Sequence, residues 1–388
     1  MNVSVLTISP RVTRSSLSIP DDLIFEIFLR LPSKAIMRFR CISKLWASIL
    51  RNQDFTESFL IRSFARPQLL FACEDDDKFI FFSSPHPQNP EENSYVVAAN
   101  HLERFPSSYR FPAPSSGFSC YGFNLIMNCD FENVICNPST GQSLILPRLK
   151  SRNKFSVACY LGYEPIAKEF KVLSMERSCE SREWISVKHQ VLTLGTNKLS
   201  WRMLECCIPH YCSHKWICIN GVIYYEAPDN WSSVPCMVAC FDLSSEKLSF
   251  VNFMETTSRN MPGSTTLINY NGKLGLLMSG DSNDVINGSS KRLELWVLQD
   301  AGKNVLSKHV YVLPPLWKDV VVERMRIAGM IGTNEIVLSP IYQQVTFYLI
   351  YFNVKRKTIR KVGVRGMEAF QGKRSYTVLN YVENVKFL

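Results

Sequence analysis

Ser18-Ile-Pro-Asp-Asp-Leu-Ile-Phe-Glu-Ile-Phe-Leu-Arg-Leu-Pro32 opens a stretch, running to Arg51, that packs three helix signals into 34 residues. Pro20 suits a first-turn position, where its missing N–H would be unpaired anyway. Asp21, Asp22 and Glu26 set negative charge near the positive end of that helix dipole. Leu23, Ile24, Ile27, Phe28 and Leu31 then recur at helical spacing as one apolar stripe. Pro32 stops the run, and Ser33 is a capping residue for a second, short helix through Met37 and Phe39. Ile42, Leu45, Trp46, Ile49 and Leu50 form a third stripe. Helices this short cannot bury all of that surface among themselves, because domains below about 40 residues usually need outside support. The leftover face belongs either to the rest of the chain, as a helical cap, or to another protein, as a docking module.

The order Ile19-Pro20, Leu23, Glu26-Ile27, Leu31-Pro32, Lys34, Met37-Arg-Phe-Arg-Cys-Ile-Ser-Lys-Leu-Trp46 and Ile49 closely resembles the F-box in its plant form. The resemblance implies that residues 18–54 dock a Skp-type adaptor and, through it, a cullin–RING ubiquitin ligase. It assigns that contact to Pro20, Leu23, Ile27, Leu31, Pro32, Ile42, Leu45, Trp46 and Ile49. Ser33 and Ala35 stand where the family often carries larger apolar residues.

Around this module, residues 1–17 read as a disordered tail and 55–66 as a connecting helix through Phe55, Phe59, Leu60 and Phe64, ended by Pro67. Beyond it strands and tight turns take over. Leu69-Leu-Phe71 and Phe79-Ile-Phe-Phe82 flank the acidic turn Glu74-Asp-Asp-Asp77. Residues 83–116 hold six prolines and read as an irregular excursion. Then a repeat sets in. Polar turns at Gly141, Asn197, Glu246, Gly302 and Arg356 are spaced 56, 49, 56 and 54 residues apart. Asn220-Gly221 and Asn271-Gly272, hairpin signals 51 residues apart, run in phase with them. A period near 50 with several strands per unit is that of a propeller blade. Residues 67–388 thus read as an all-β, propeller-like domain of six blades. One blade is split between Leu69–Phe82 and Tyr376–Tyr381 with Val385–Leu388, so the ring closes from both ends. Two stacked antiparallel sheets are the other arrangement such a pattern allows.

Leu161-Gly-Tyr-Glu-Pro-Ile-Ala-Lys-Glu-Phe-Lys-Val-Leu173, Gln190–Gly195 with Ser200-Trp-Arg-Met203, Cys218-Ile-Asn-Gly-Val-Ile-Tyr-Tyr225 and Phe241-Asp-Leu243 resemble the plant F-box-associated domain, type 3. The fold class is then α+β multidomain, a three-helix F-box followed by the β domain. The implied role is a substrate receptor whose target is an unknown protein.

Charge and chemistry narrow the alternatives. The net charge of +10 sits at the two ends: residues 67–354 carry 25 basic against 27 acidic side chains. A nucleic-acid groove needs basic residues clustered with aromatics on one surface, so neither nucleic acid nor membrane is expected as a partner. Thirteen cysteines, an odd number at irregular spacing and with no secretory leader before them, read as reduced thiols of a cytoplasmic or nuclear protein. Cys206-Cys207-x2-His210-x-Cys212-x-His214 is the most ligand-rich cluster, but adjacent cysteines point to opposite faces of a strand and no second pair follows. Gly366-x5-Gly372-Lys-Arg-Ser375 misses the phosphate-loop spacing by one residue. No metal, cofactor or catalytic residue is assigned, and the chain reads as a non-enzymatic receptor. The rival reading is a propeller enzyme or metal-binding β protein with a fortuitous helical N-terminus. For the substrate surface, Tyr211, Trp231 and Trp317 stand in loops between strands, where aromatic side chains carry interface energy.

Overall fold

The computed structural model describes residues 19–75, 78–87, 94–98, 100–106, 119–120, 123–127, 132–149, 157–180, 183–196, 198–205, 210, 213, 215–227, 237–253, 264–281, 285–342 and 346–386. It opens with four helices: α1 (Asp21–Phe28), α2 (Ser33–Phe39), α3 (Lys44–Arg51) and α4 (Gln53–Phe64). Ile24, Phe28, Leu29, Ile36, Leu50, Phe55 and Phe59 close on one another as a single core. Two details differ from the sequence reading. The boundary expected at residue 54 falls inside α4, because Asn52 starts that helix by accepting the Asp54 N–H at 2.9 Å. Phe55 and Phe59 are therefore core of the module and not part of a connector. Ser33 is no cap either: Pro32 holds that position, which frees the hydroxyl for the β domain.

After Pro67 the described chain is almost wholly strand, in six sheets. The first takes β1 (Gln68–Asp75), β2 (Lys78–Pro85) and β4 (Asn100–Pro106), while β3 (Ser94–Ala98) leaves for another sheet. The second runs β5 (Ser119–Cys120), β6 (Phe123–Met127), β7 (Asn133–Asn137), β8 (Gln142–Ile145). The third is β9 (Val157–Glu164), β10 (Glu169–Glu180), β11 (Glu183–Thr193), β12 (Arg202–Leu204). The fourth is β13 (Trp216–Ile219), β14 (Val222–Glu226), β15 (Met237–Asp242), β16 (Lys247–Asn252). The fifth is β17 (Thr266–Tyr270), β18 (Lys273–Ser279), β19 (Arg292–Asp300), β20 (Val305–Val312). A short helix α5 (Trp317–Val320) leads to the sixth: β21 (Met325–Ile331), β22 (Glu335–Pro340), β23 (Phe347–Asn353), β24 (Thr358–Arg365). The last strand, β25 (Ser375–Tyr381), returns to the first sheet and pairs antiparallel with β1, from Gln68↔Tyr381 to Cys73↔Ser375.

Alternation along each strand packs the sheets into a ring. On β1, Leu69, Phe71 and Cys73 face the sixth sheet, packing with Val337, Phe347 and Leu349. Their neighbours Leu70 and Ala72 face the second, packing with Val134 and Cys136. Further cores join the second to the third and fourth, the fourth to the fifth and the fifth to the sixth. A period-2 strand with both faces apolar is what a blade between two neighbours requires.

The repeat landmarks take on one structural meaning. Gly141, Glu246, Gly302 and Arg356 all stand between the third and fourth strands of their sheets. Asn220-Gly221 and Asn271-Gly272 stand between the first and second. Both residues of each pair have positive φ (49° and 81°, 51° and 81°), the mirror-image turn that Asn-Gly tolerates at little steric cost. Two expectations need correction. The Pro-rich excursion is not wholly irregular, since it supplies β4 and also β3, which pairs parallel with the outer edge of β24. Val385 is not part of the closing strand, for it leaves the sheet and packs into the helical core.

Candidate functional site

The helical module shows one unsatisfied side. Leu23 (56% exposed) and Ile27 (49%) lie one turn apart on α1, which packs against α3; Ile42 (65%) stands in the turn before α3 and Leu45 (50%) in its first turn. Pro20 and Pro32 are also exposed. The other three residues expected in the adaptor contact divide differently. Leu31, Trp46 and Ile49 are half-buried and pack on the module's own core. The Trp46 ring meets Phe28 and Phe39 edge-on, each at 5.4 Å between centroids, so it holds helices together as well as facing outward. Exposed aliphatic residues grouped on a small module mark a contact surface more strongly than any one of them alone. Ile61 and Phe64 of α4 are exposed too; the sequence reading placed Phe64 on the apolar side of a connecting helix and did not name Ile61.

The opposite side of the module is fastened to the ring by the segment after β25. Arg40, almost fully buried, donates through Nη2 to the carbonyls of Leu50 and Val385. Burial, with Arg51 adding, draws its pKa down to about 10. Ser33 Oγ donates to Glu383 at 2.8 Å and to the Ser139 carbonyl at 3.3 Å. Asn137 Nδ2 donates to the Asn384 carbonyl at 2.7 Å, and Ser139 Oγ shares a hydrogen bond with the Tyr381 hydroxyl. Lys168 and Glu57 form an ion pair at 2.7 Å between the third sheet's first turn and α4.

These contacts fix which rim of the ring is near the module. In an antiparallel four-stranded sheet the first-to-second and third-to-fourth turns share one end. Ser139 lies in a third-to-fourth turn, Lys168 in a first-to-second turn, and residues 382–386 follow the inner strand β25 to the same end. The tight turns with positive-φ residues therefore gather beside the helices. The far rim holds the strand ends from which the second-to-third loops and the connections between sheets leave, with the described stretches 146–149, 264–265, 285–291 and 313–324. Tyr211 and Trp231, expected on the substrate surface, lie outside the described residues.

Trp317, in the stretch 313–324, is corrected: it is 2% exposed, packs on Phe352, and its Nε1 donates to the Asn287 carbonyl at 2.8 Å. A tryptophan whose ring fills the core and whose N–H is satisfied inside the chain has nothing left to offer a partner. Trp317→Ser should cost about 3–5 kcal/mol and lower the thermal midpoint by several degrees. A melting curve superimposable on wild type would contradict the packed placement. Trp216, at the start of β13, is likewise buried, against Tyr160.

Of the Cys/His cluster, only His210 lies within the described residues, and its Nε2 shares a 2.7 Å hydrogen bond with Tyr225 OH. His189 stacks near it at 5.3 Å, with its pKa lowered to about 4, first by burial and then by His210. A histidine that is harder to protonate folded than unfolded withdraws stability as pH falls. The full contribution is present above the ordinary value of 6.5 and is lost progressively down to about 4. The integrated loss is about 3 kcal/mol. Thermal midpoints between pH 7.5 and 4.5 should drop more steeply for wild type than for His189→Asn; parallel curves would refute this.

Among the described residues no helix is long and apolar enough to cross a membrane, and no group of three or more potential metal ligands converges. Comparison with known families places the F-box domain on residues 16–58 and the F-box associated beta propeller domain on residues 68–382. The chain is 48% identical to F-box protein At5g65850 of Arabidopsis thaliana, over 98% of this chain and 93% of that one. It is 46% identical to F-box protein DOR of Arabidopsis thaliana, over 95% of this chain and 94% of that one.

Proposed function

The chain belongs to the F-box proteins with an F-box associated β-propeller domain, and we propose that it is the substrate receptor of a Skp–cullin–F-box ubiquitin ligase. The exposed side formed by Leu23, Ile27, Ile42 and Leu45 carries this reading, because nothing in the described chain covers it. It takes the Skp-type adaptor, with Pro20, Leu31, Pro32, Trp46 and Ile49 around it. The target protein meets the rim away from the helices, where the long connections gather. A receptor of this kind performs no chemistry. It acts by proximity, raising the effective concentration of a target lysine near the charged conjugating enzyme. A joint stitched by buried hydrogen bonds limits the angles the target can explore, and so selects which lysines come within reach. A cytoplasmic or nuclear setting goes with this role.

Co-expression of the full chain with a Skp-type adaptor, followed by gel filtration, tests the reading. A stoichiometric complex that assembles with a cullin–RING pair is expected. Separate elution of the two proteins, both folded, would sink it.

A further inference from the structure

A cleft of about 760 Å³ lies where the helical module meets the β domain. Leu29, Phe59 and Leu102 give it apolar walls. Around them stand Arg30 just after α1, Lys34 on α2, Arg62 in the last turn of α4 and Arg66 just after it. Few carboxylates answer these four cations. Glu26 lies 3.8 Å from Arg30 and 3.9 Å from Arg62, the outer limit of an ion pair and too long for a hydrogen bond. Lys34 Nζ donates to the His101 carbonyl at 3.1 Å, a neutral group. Among the described residues neither Lys34 nor Arg66 has an ion pair. Glu383 also lines the cleft, but it accepts the Ser33 hydroxyl, and burial raises its carboxyl above the usual range. Like charges converging on a concave, partly apolar site repel one another, and an anion placed among them relieves that repulsion.

We propose that this cleft binds a small polyanion carrying two or more phosphate groups. Each phosphate monoester carries about −1.5 to −2 charge near neutral pH, so two or more are needed to balance roughly four cations. The volume lies within the roughly 300–1,000 Å³ typical of small-molecule sites, and is larger than one phosphate fills. Three of the four cations are arginines, whose planar forks grip phosphate oxygens two at a time. A molecule seated there touches α1, α2 and α4 on one side and β2 and β4, through Ser83 and Leu102, on the other. It therefore ties the helical module to the ring and sets how stiff the joint is. Leu31 and Pro32 line this cleft and also border the proposed docking face, so the two sites adjoin; the four cations belong to the cleft alone, and the inference does not depend on the adaptor.

Tripolyphosphate, ATP and inositol hexakisphosphate, titrated calorimetrically into the full chain, test it. Inorganic sulfate at matched ionic strength serves as background. At least one of the three should bind above that background and raise the thermal midpoint. The three arms separate a bare phosphate chain, a nucleotide and a phosphorylated cyclitol as sources of the shared chemistry. The double variant Arg62→Gln/Arg66→Gln changes two surface side chains. It should keep the wild-type midpoint without ligand while losing affinity by about 100-fold. Binding no stronger than sulfate for all three compounds overturns the proposal. So does undiminished affinity in the double variant.

Discussion

Leu23→Glu together with Leu45→Glu is expected to abolish capture of a Skp-type adaptor while leaving the thermal midpoint of the chain nearly unchanged. Both side chains are half or more exposed, so neither is held by the module's own core. Surface substitutions of this kind usually shift stability by no more than about 0.5 kcal/mol each. At an interface the same positions would be desolvated, and a carboxylate buried there without a partner weakens binding strongly. An apolar hot spot contributes about 2 kcal/mol, roughly 30-fold in affinity, so the pair should weaken the complex by more than about 100-fold. Trp46→Ala is the contrasting variant. Its ring packs on Phe28 and Phe39 and should be lost at a cost to folding as well as binding. Surface plasmon resonance on immobilised adaptor, paired with melting curves, separates the two. Wild-type affinity in the double Glu variant would place the adaptor elsewhere. An unchanged midpoint in Trp46→Ala would show that the ring contributes nothing inside the module.

The order of elements was legible because local chemistry and global arrangement agree in this chain. The helix stripes repeat at a period that only a helix satisfies. The polar turns recur at a spacing that only a multi-strand unit fills, and they mark the same turn in successive sheets. Closure through β25 was legible too, since a strand-like run at each end of a repeat array would otherwise leave two bare edges.

What was not legible depends on which side of a residue faces the core. Trp317 stands in a polar, Pro-containing connection, and sequence context assigned it to a partner. The short helix α5 instead turns its ring inward beside Phe352. Ser33 looked like a cap because Pro32 was read as a stop and not as the capping position. The role of residues 382–386 had no local signal at all. Glu383, Asn384 and Val385 follow a strand and could pass for its frayed end. Only their meeting with Ser33, Asn137 and Arg40, about 250 to 350 residues earlier, reveals them. The cationic cleft was hidden for the same reason, since Arg30, Lys34, Arg62 and Arg66 look like ordinary solvated helix charges until the ring is placed against them.

Two nested truncations should separate the fastening of the module from the closure of the ring. Removing residues 382–388 takes Val385 out of the helical core and withdraws the carbonyls that receive Arg40 and Asn137, together with the Glu383 carboxylate that receives Ser33. Arg40 then loses the Val385 carbonyl, and a hydrogen bond to a charged group contributes about 1.5–3 kcal/mol. The helices should therefore melt well below the ring, turning one calorimetric transition into two. Removing residues 375–388 also strips β25 from β1. That bares the edge of Gln68–Asp75, and Tyr376, Val378 and Tyr381 no longer cover Leu70, Ala72 and Phe81. An open apolar sheet edge recruits other chains, so this longer truncation should aggregate where the shorter one stays monomeric. Light scattering after gel filtration reads the difference directly. A monomeric 1–374 protein with an unchanged transition would mean that β25 does not close the ring. A 1–381 protein whose helices melt together with the ring would mean that the terminal segment does not hold the module in place.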